Sequence, residues 1–485
     1  MKLRGISAAC FIFVCLLGSY GALGRGKQVP LASTCSSPKR IAVIGAGAAG
    51  TSFAYSLGRS KVQDDVSITI LEASLRVGGR AMAWEYNGIS VELGASIFLK
   101  ENQILYNATR EFNLTFEAER SVRGGRPPWG VWAGDGFAFQ ASKSSSATLA
   151  RMFWRYGLAP VKTARLARKA ADDFAHGAYG TTTDIKRVQD LVRSWGLAEV
   201  VGEPADKFFK ERDIKELFTD EIIQAATRVN YAQDINAIDS LGALICMAAA
   251  NGETVRVEGG NQQIFEHFVA KSGAALRLNS SVLEVQRVQG HADSAYKVTT
   301  ADGQTSTFDA VVIAVPWKHE PFILLENFAK VPRPIEYVHL HVTLIANLTA
   351  SPAYFGTTDP PVQILTKPHP NTPFLSLSWL SDNTIKIFSL QRMSDKVLAE
   401  IFKDFSPANV FRHSWDSYPL LKPDYLSKES YVQLDEGAWH LNGFEGVFST
   451  MESQAAVGRA VARVAELWVE EQRETSDCYG SRSLG

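Results

Sequence analysis

Lys39-Arg40-Ile41-Ala42-Val43-Ile44-Gly45-Ala46-Gly47-Ala48-Ala49-Gly50 is the stretch that decides the fold. Residues 41–44 are a short apolar run suited to a buried parallel strand, and the alanine-rich segment after Gly47 opens a helix. Gly45, Gly47 and Gly50 thus form GxGxxG between a strand and a helix. The first glycine admits a tight turn, the second lets a pyrophosphate approach the backbone, and the third lets helix pack on strand. Free amides at the helix start, those of Ala48 and Ala49 included, then meet the anion with the positive end of the helix dipole. Residues 66–71 read as a second strand that ends on Glu72, about twenty positions past Gly50, where a carboxylate accepts hydrogen bonds from a ribose. Any glycine-rich turn can match GxGxxG alone; the order strand, turn, helix, strand, acid is far more restrictive.

Outward from this unit comes Arg76-Val-Gly78-Gly79-Arg80, in which the two glycines by themselves suit a plain turn. Gly-Gly-Arg directly after the second strand resembles the FAD-binding amine oxidase and phytoene desaturase superfamily. The resemblance implies that the loop amides and Arg80 reach the FAD pyrophosphate. It also implies that Gly94, Ala95 and Ser96, in Glu92-Leu-Gly-Ala-Ser, lie beneath the flavin.

Segments of the same domain are expected to return late in such a chain. Val257-Glu-Gly259-Gly260-Asn261 precedes a helical stretch, and Val282 opens a strand whose backbone holds the adenine in that superfamily. Residues 296–300 and 305–309 flank the hairpin signal Asp302-Gly303, and residues 310–316 are a buried strand stopped by a proline. Residues 440–458 lead into a helix through Leu467, with Ser449 and Thr450 as N-caps and Glu452 in its first turn. This reads as a second FAD contact, against an ordinary capped C-terminal helix. The expected class is α/β: a Rossmann-like FAD-binding domain (38–110, 251–320, 430–475) interleaved with an α+β substrate domain (111–250, 321–429). The first substrate segment is mostly helical, while alternating runs at 336–348, 374–379 and 385–389 suit an antiparallel sheet over the flavin.

A chain of 485 residues with 46% hydrophobic and 21% charged residues is long enough for two or three domains. Its net charge of −1, with both signs mixed throughout, argues against nucleic acid as a partner. Lys2 and Arg4, an apolar run from Ile6 to Leu17, and small residues to Gly24 have the layout of a secretory signal peptide over 1–24. A dozen apolar residues is too short for a membrane span, which takes roughly 20. Asn107, Asn113, Asn279 and Asn347 each begin a glycosylation sequon, in keeping with passage through the secretory pathway. Cys35, Cys246 and Cys478 remain beyond the signal. That odd count excludes a disulfide scaffold; Cys35 and Cys478 flank the same domain and are a candidate pair, and Cys246 reads as a buried hydrophobe.

Further stretches resemble the prenylcysteine oxidases, including the plant farnesylcysteine lyases. They are Trp154-Arg-Tyr-Gly157, Thr227-Arg228-Val-Asn230-Tyr231-Ala-Gln-Asp234, Lys386-Ile-Phe-Ser389, Trp415-Asp-Ser-Tyr-Pro419 and Asn442-Gly-Phe-Glu445. Residues 119–150 and 350–372 match that family poorly. The resemblance implies FAD-dependent oxidation of S-prenylcysteine with O2 and water to cysteine, a prenyl aldehyde and hydrogen peroxide. It also implies a lysosomal, vacuolar or extracellular glycoprotein. In such a reaction the flavin carries the chemistry, and the protein orients the thioether carbon. No metal is expected, since no His, Cys and carboxylate grouping has ligand spacing. An amine oxidase or desaturase on the same scaffold, and a secreted FAD- or lipid-binding protein without turnover, are the rival readings.

Arg228, with Asn230 and Tyr231, is the candidate for the substrate carboxylate, because a guanidinium fork fits that group; the alternative is a structural corner. His339 and His341 share one strand face as candidates for proton or water handling, against satisfied structural histidines. Leu149, Met152, Phe153 and Tyr156 form an apolar helical stripe beside Arg151 and Arg155. Core packing and peripheral contact with a membrane are its two readings.

Overall fold

The computed structural model describes residues 37–117, 125–180, 184–288, 295–319 and 323–482. The expected signal segment and Cys35 lie outside the described residues, as does the side chain of Cys478, and with them the candidate disulfide.

β1 (Lys39–Ile44) sits centrally in a six-stranded sheet because its apolar run has no face left for water: Ile41, Ala42 and Val43 are wholly buried. It pairs in parallel with β2 (Val66–Leu71) on one side and with Ala310–Ile313 on the other. Ala275–Arg277 and Ala438–His440 extend the parallel sheet, and Gln433–Asp435 closes one edge antiparallel. Its strands therefore come from three stretches of chain, each more than a hundred residues from the next, the pattern of an interleaved domain. Val282–Arg287 belongs to a separate four-stranded sheet that includes the antiparallel hairpin through Asp302-Gly303.

Eight helices matter for the site. They are α1 (Ala48–Leu57), α2 (Gln103–Glu111), α3 (Ser145–Tyr156), α4 (Ala159–Ala178), α5 (Gln224–Tyr231), α6 (Ser240–Asn251), α7 (Gln262–Ser272) and α8 (Met451–Arg482). α8 runs fifteen residues beyond the expected end and packs backbone to backbone on α1. Gly458 permits this, since a Cβ there would lie 2.2 Å from the Ala49 carbonyl oxygen, and Ser52 Oγ donates to the Ala455 carbonyl at 2.7 Å.

A seven-stranded sheet covers the other side of the cofactor region. Its order is Val410–Pro419, Tyr337–Ala346, Thr384–Ser389, Ser376–Ser381, Gln363–Thr366, Trp129–Trp132 and Phe137–Gln140. All neighbours are antiparallel except Gln363–Thr366 with Trp129–Trp132. Two strands thus come from the segment expected to be mostly helical, and they lie in or beside the region that matched the family least. Successive side chains alternate across this sheet. Leu340, Val342 and Leu344 pack with Val91 and Leu93, while Ile345, Ile385 and Ile387 form a separate core on the opposite face. Both large sheets belong to the one compact unit that begins at Pro38.

Candidate active site

The glycine loop is built as its spacing requires. Gly45 has φ +104°, and a Cβ there would lie 2.4 Å from the Ala314 carbonyl oxygen, so no other residue fits without a shift. A Cβ on Gly50 would lie 2.1 Å from the Gly45 oxygen, whereas nothing stands within 4 Å of one on Gly47. Gly47 therefore faces open space at the start of α1, where an anion meets unpaired amides. Gly78 (φ +111°) and Gly79 (φ +57°) form a second loop against the first: the Gly78 amide donates to the Ala46 carbonyl at 2.9 Å.

Gly45, Gly47, Ala48, Ala49, Glu72, Gly78, Gly79, Arg80 and Ala95 line one cleft with Ala314 to Pro316, Ser417, Tyr418 and the segment from Ser449 to Met451. The Glu72 carboxylate accepts from the Ala46 amide and from the Ser74 amide, each at 2.8 Å, which aims it across the cleft floor. Gly50, Gly94, Ser96 and Val282, also expected to bind the cofactor, are not among the residues that line this cleft. Gly50 is a packing contact, Gly94 leaves room for the Trp415 ring, and Ser96 accepts from Lys386 Nζ at 3.2 Å. Val282 begins its strand just past Ser280, whose amide donates to the Glu72 carbonyl at 2.8 Å.

Arg80 lines the cleft, but its guanidinium is anchored by the buried carboxylate of Glu445 and donates to the Ser417 carbonyl at 3.2 Å. Burial pulls the Arg80 pKa down and Glu445 more than offsets it, so the fork stays cationic beside the cleft. Sequence reasoning quoted Glu445 without giving it this task. Arg76, likewise quoted without a role, donates to the carbonyls of Gly79 and Ala81 and so braces the second glycine loop from within. Asn261, quoted only as preceding a helix, donates to the Ala95 carbonyl at 2.8 Å, and its amide donates to Glu92 Oε1 at 2.6 Å. Burial pushes the Glu92 carboxyl up to about 7, partly offset by that amide and by Lys386.

Glu452 corrects an expectation. Its carboxylate turns away from the cleft and accepts from the amides of Ile104 (2.8 Å) and Leu105 (3.0 Å) and from the Tyr179 hydroxyl (2.6 Å). It serves as a remote N-cap for α2. At the start of α8, Thr450 and Ser453 cap each other, Thr450 Oγ1 accepting at 3.0 Å and Ser453 Oγ at 2.9 Å. The polar side chains that do enter the cleft there are Gln454 and Asn442. Both polar atoms of the Gln454 amide, and Asn442 Oδ1, are buried without a partner among the described residues. Buried polar atoms are normally hydrogen-bonded, so these belong to a ligand surface. Two helix N-termini, an open Gly47, an acid at Glu72 and a neutral amide pair at the far end together fit FAD, with its anionic middle and its hydrogen-bonding flavin edge.

Four of the five predicted pocket residues, Arg228, Asn230, His339 and His341, lie away from this cleft. The Arg228 fork is committed to Asp234 (2.7 Å) and Thr366 (3.2 Å), and Asn230 donates to its own helix at the Ala226 carbonyl. Both are corner residues rather than carboxylate receptors. Tyr231 alone of that group reaches the cleft wall, donating to the Ser449 carbonyl at 3.1 Å. His339 and His341 point to the sheet face opposite Leu340 and Val342; His339 is exposed and pairs with Asp416 at 2.9 Å. The four sequon asparagines are exposed, three of them at positive-φ turns and Asn107 within α2. Cys246 is a free, wholly buried thiol whose pKa burial pushes up, an inert position. Among the described residues no grouping of three metal-ligating side chains occurs.

A second cavity, of about 620 Å³, lies between α4 and α6 and shares Thr450 and Met451 of its lining with the first cleft. A larger depression of about 960 Å³ lies elsewhere, lined by charged residues already paired with one another, such as Arg187 with Glu429 and Arg193 with Asp190.

The fold has relatives of known structure. A fatty acid isomerase from P. acnes aligns with a TM-score of 0.59 at 15% identity, covering 87% of this chain and 97% of that one. A putrescine oxidase aligns at 0.55 and 14% to 15%, covering 88% and 98%. In sequence, the chain is 26% identical to farnesylcysteine lyase of Arabidopsis thaliana, covering 91% of each protein. It is 25% identical to prenylcysteine oxidase 1 of Homo sapiens, covering 88% and 89%. Residues 43–112 match the model of an NAD(P)-binding Rossmann-like domain. The prenylcysteine lyase model matches residues 139–478, well over half of the chain, and the protein belongs to the prenylcysteine lyase family.

Proposed function

We propose that the protein is an FAD-dependent oxidase that cleaves S-prenyl-L-cysteine. The observation that carries this reading is a complete dinucleotide cleft, with its partnerless Gln454 amide, inside a chain of the prenylcysteine lyase family. Bound FAD supplies the two-electron acceptor that no side chain supplies. The balance is R–S–CH2–R′ + O2 + H2O → R–SH + R′–CHO + H2O2. The allylic carbon loses two electrons, its bond to sulfur breaks, and oxygen is reduced to hydrogen peroxide.

The chain's own residues bind and orient. The loops at Gly45–Gly50 and Gly78–Gly79 hold the pyrophosphate, Glu72 the ribose, and Gln454 and Asn442 the flavin edge. Ser417 and Tyr418, from the sheet above, cover the cleft. The test is colour: purified yellow protein, held without oxygen, bleaches on adding S-farnesylcysteine and releases thiol and aldehyde. Bleaching by amines with release of ammonia would favour an amine oxidase, and a yellow protein that no candidate substrate bleaches would be a binding protein.

The reading extends to location and surroundings. The signal-like N-terminus and four exposed sequons support a route through the secretory pathway to a lysosome, vacuole or the exterior. Peripheral contact with an anionic membrane is supported by α3 and α4. Tyr156 is buried in the core, but Leu149, Phe153, Trp154, Leu158 and Val161 are exposed, Trp154 by 86%, beside Arg151, Lys162 and Arg165. Apolar side chains enter lipid while the cations meet its headgroups.

A further inference from the structure

We infer that the cavity between α4 and α6 holds the isoprenyl chain of the substrate, with its allylic end toward Thr450 and Met451. This inference rests on the prenylcysteine reading and adds to it a place for the lipid.

The cavity exists because facing helices carry short side chains. Ala164, Ala171 and Ala175 fall on one face of α4, at spacings of two turns and one, and Ala248 and Ala249 of α6 face them across the gap. Protein interiors are close-packed, and unfilled apolar volume costs stability in proportion to its size. The surrounding helices show that close packing was available: Phe174 makes edge contacts with Trp195 and with Phe448 at 5.5 and 5.3 Å between ring centres. A hollow of about 620 Å³ beside such a core is of the size and lining of a ligand site.

Its two ends have different chemistry. At the inner end Thr450 and Met451 line both this cavity and the cofactor cleft, so a chain lying here delivers its head to the flavin region without crossing solvent. At the outer end Val161, Arg165 and Arg168 of α4 lie at the surface, and Val161 is itself an exposed apolar residue. The buried carboxylate, Glu452, is fully engaged by Tyr179 and two amides, and the exposed Glu101 and Asp172 stand at the surface with Arg165 and Arg168, so the interior of the cavity carries no free charge. A linear, uncharged, unsaturated hydrocarbon fits that environment, and a charged or bulky polar ligand does not.

The experiment fills the cavity in the flavin-loaded protein. Ala171→Phe and Ala248→Phe are made singly and together, with Ala164→Leu as a milder change should the larger ones fail to fold. Three readouts are taken: flavin content, fluorescence of a dansyl-labelled geranyl probe displaced by farnesol, and anaerobic bleaching by S-farnesylcysteine and by the short S-dimethylallylcysteine. Filled variants are expected to keep flavin and to keep bleaching with the short thioether. They are expected to lose farnesylcysteine reactivity and probe binding by about tenfold or more, as a lost apolar fit of several methylenes entails. Folded variants that retain both the probe and farnesylcysteine bleaching overturn the assignment. Wild-type protein that no thioether bleaches, yet that binds the probe and loses it on filling, overturns the proposed reaction and leaves the cavity assignment standing.

Discussion

Arg80 and Glu445, 365 residues apart, form an ion pair in which the carboxylate is wholly buried. Glu445 also accepts from Asn442 Nδ2 (2.5 Å) and from the Tyr337 hydroxyl (2.9 Å), so one carboxylate ties the second glycine loop to the seven-stranded sheet and to the segment before α8. Removing Glu445 leaves the Arg80 charge, which is 26% exposed to the cleft, without its partner and costs about 1–3 kcal/mol. Glu445→Gln is expected to lower the melting temperature and to release flavin on gel filtration. Replacing both partners with apolar residues of similar volume is expected to recover most of the stability but not the flavin, because Arg80 also lines the cleft. Recovery of flavin in the double variant would show that Arg80 is only a strut.

The first two glycines of the first motif separate folding from binding. Gly45→Ala meets the Ala314 carbonyl at 2.4 Å in a left-handed backbone, and the expected outcome is little soluble protein. Gly47→Ala meets nothing, so the protein is expected to fold with unchanged circular dichroism yet purify nearly colourless. Normal flavin in Gly47→Ala would mean that the pyrophosphate does not sit against this residue.

Glu452 and Gln454 are neighbours on α8 with opposite duties. Glu452→Ala uncaps α2 and is expected to cost about 1–3 kcal/mol, the penalty for stranding buried amides, without loss of flavin from the folded fraction. Gln454→Ala is expected to leave stability nearly unchanged and to weaken flavin binding, read by fluorescence titration of the apoprotein.

How much of this was legible beforehand follows from locality. The glycine loops, Glu72 and the interleaving of segments could be read because each depends on a few adjacent residues and a repeating period. Residues 129–140 escaped because strand pairing with 363–366 is set by partners more than two hundred positions away. Glu452 misled for the same kind of reason: a carboxylate at a helix start looks like a cofactor contact until the free amides of α2 arrive beside it. Arg228 misled because its partner Asp234, six residues on, lies on a turn that brings it back. His339 and His341 share one strand face as expected, but which face meets the cleft is decided by Val91 and Leu93 on another hairpin.

Glu92 gives the cofactor loop a pH signature. Its folded pKa is raised from 4.5 to about 7 by burial, so between those values the folded protein keeps a proton that the unfolded chain has released. Stability therefore declines as pH rises through this window, by up to about 3 kcal/mol. Glu92→Gln keeps the acceptor for the Asn261 amide and removes the titration. Thermal melts from about pH 5 to about pH 8 are expected to fall more steeply for the parent than for the variant. Parallel curves would place the charge on Glu92 at all these pH values, with Lys386 as its counterion.

The exposed residues of α3 and α4 give the last expectation. Phe153 and Trp154 have no core to leave, so Phe153→Ser with Trp154→Ser is expected to leave the melting temperature within about 0.5 kcal/mol of the parent in stability terms. Flotation with phosphatidylserine-containing vesicles at low salt is expected to recover the parent and not the variant, and to weaken for the parent as salt screens Arg151, Lys162 and Arg165. Because Val161 is shared by this patch and the cavity mouth, the double variant is also expected to oxidise farnesylcysteine more slowly from vesicles than from detergent. Equal rates from both, with vesicle binding unchanged, would assign the patch to some surface other than lipid.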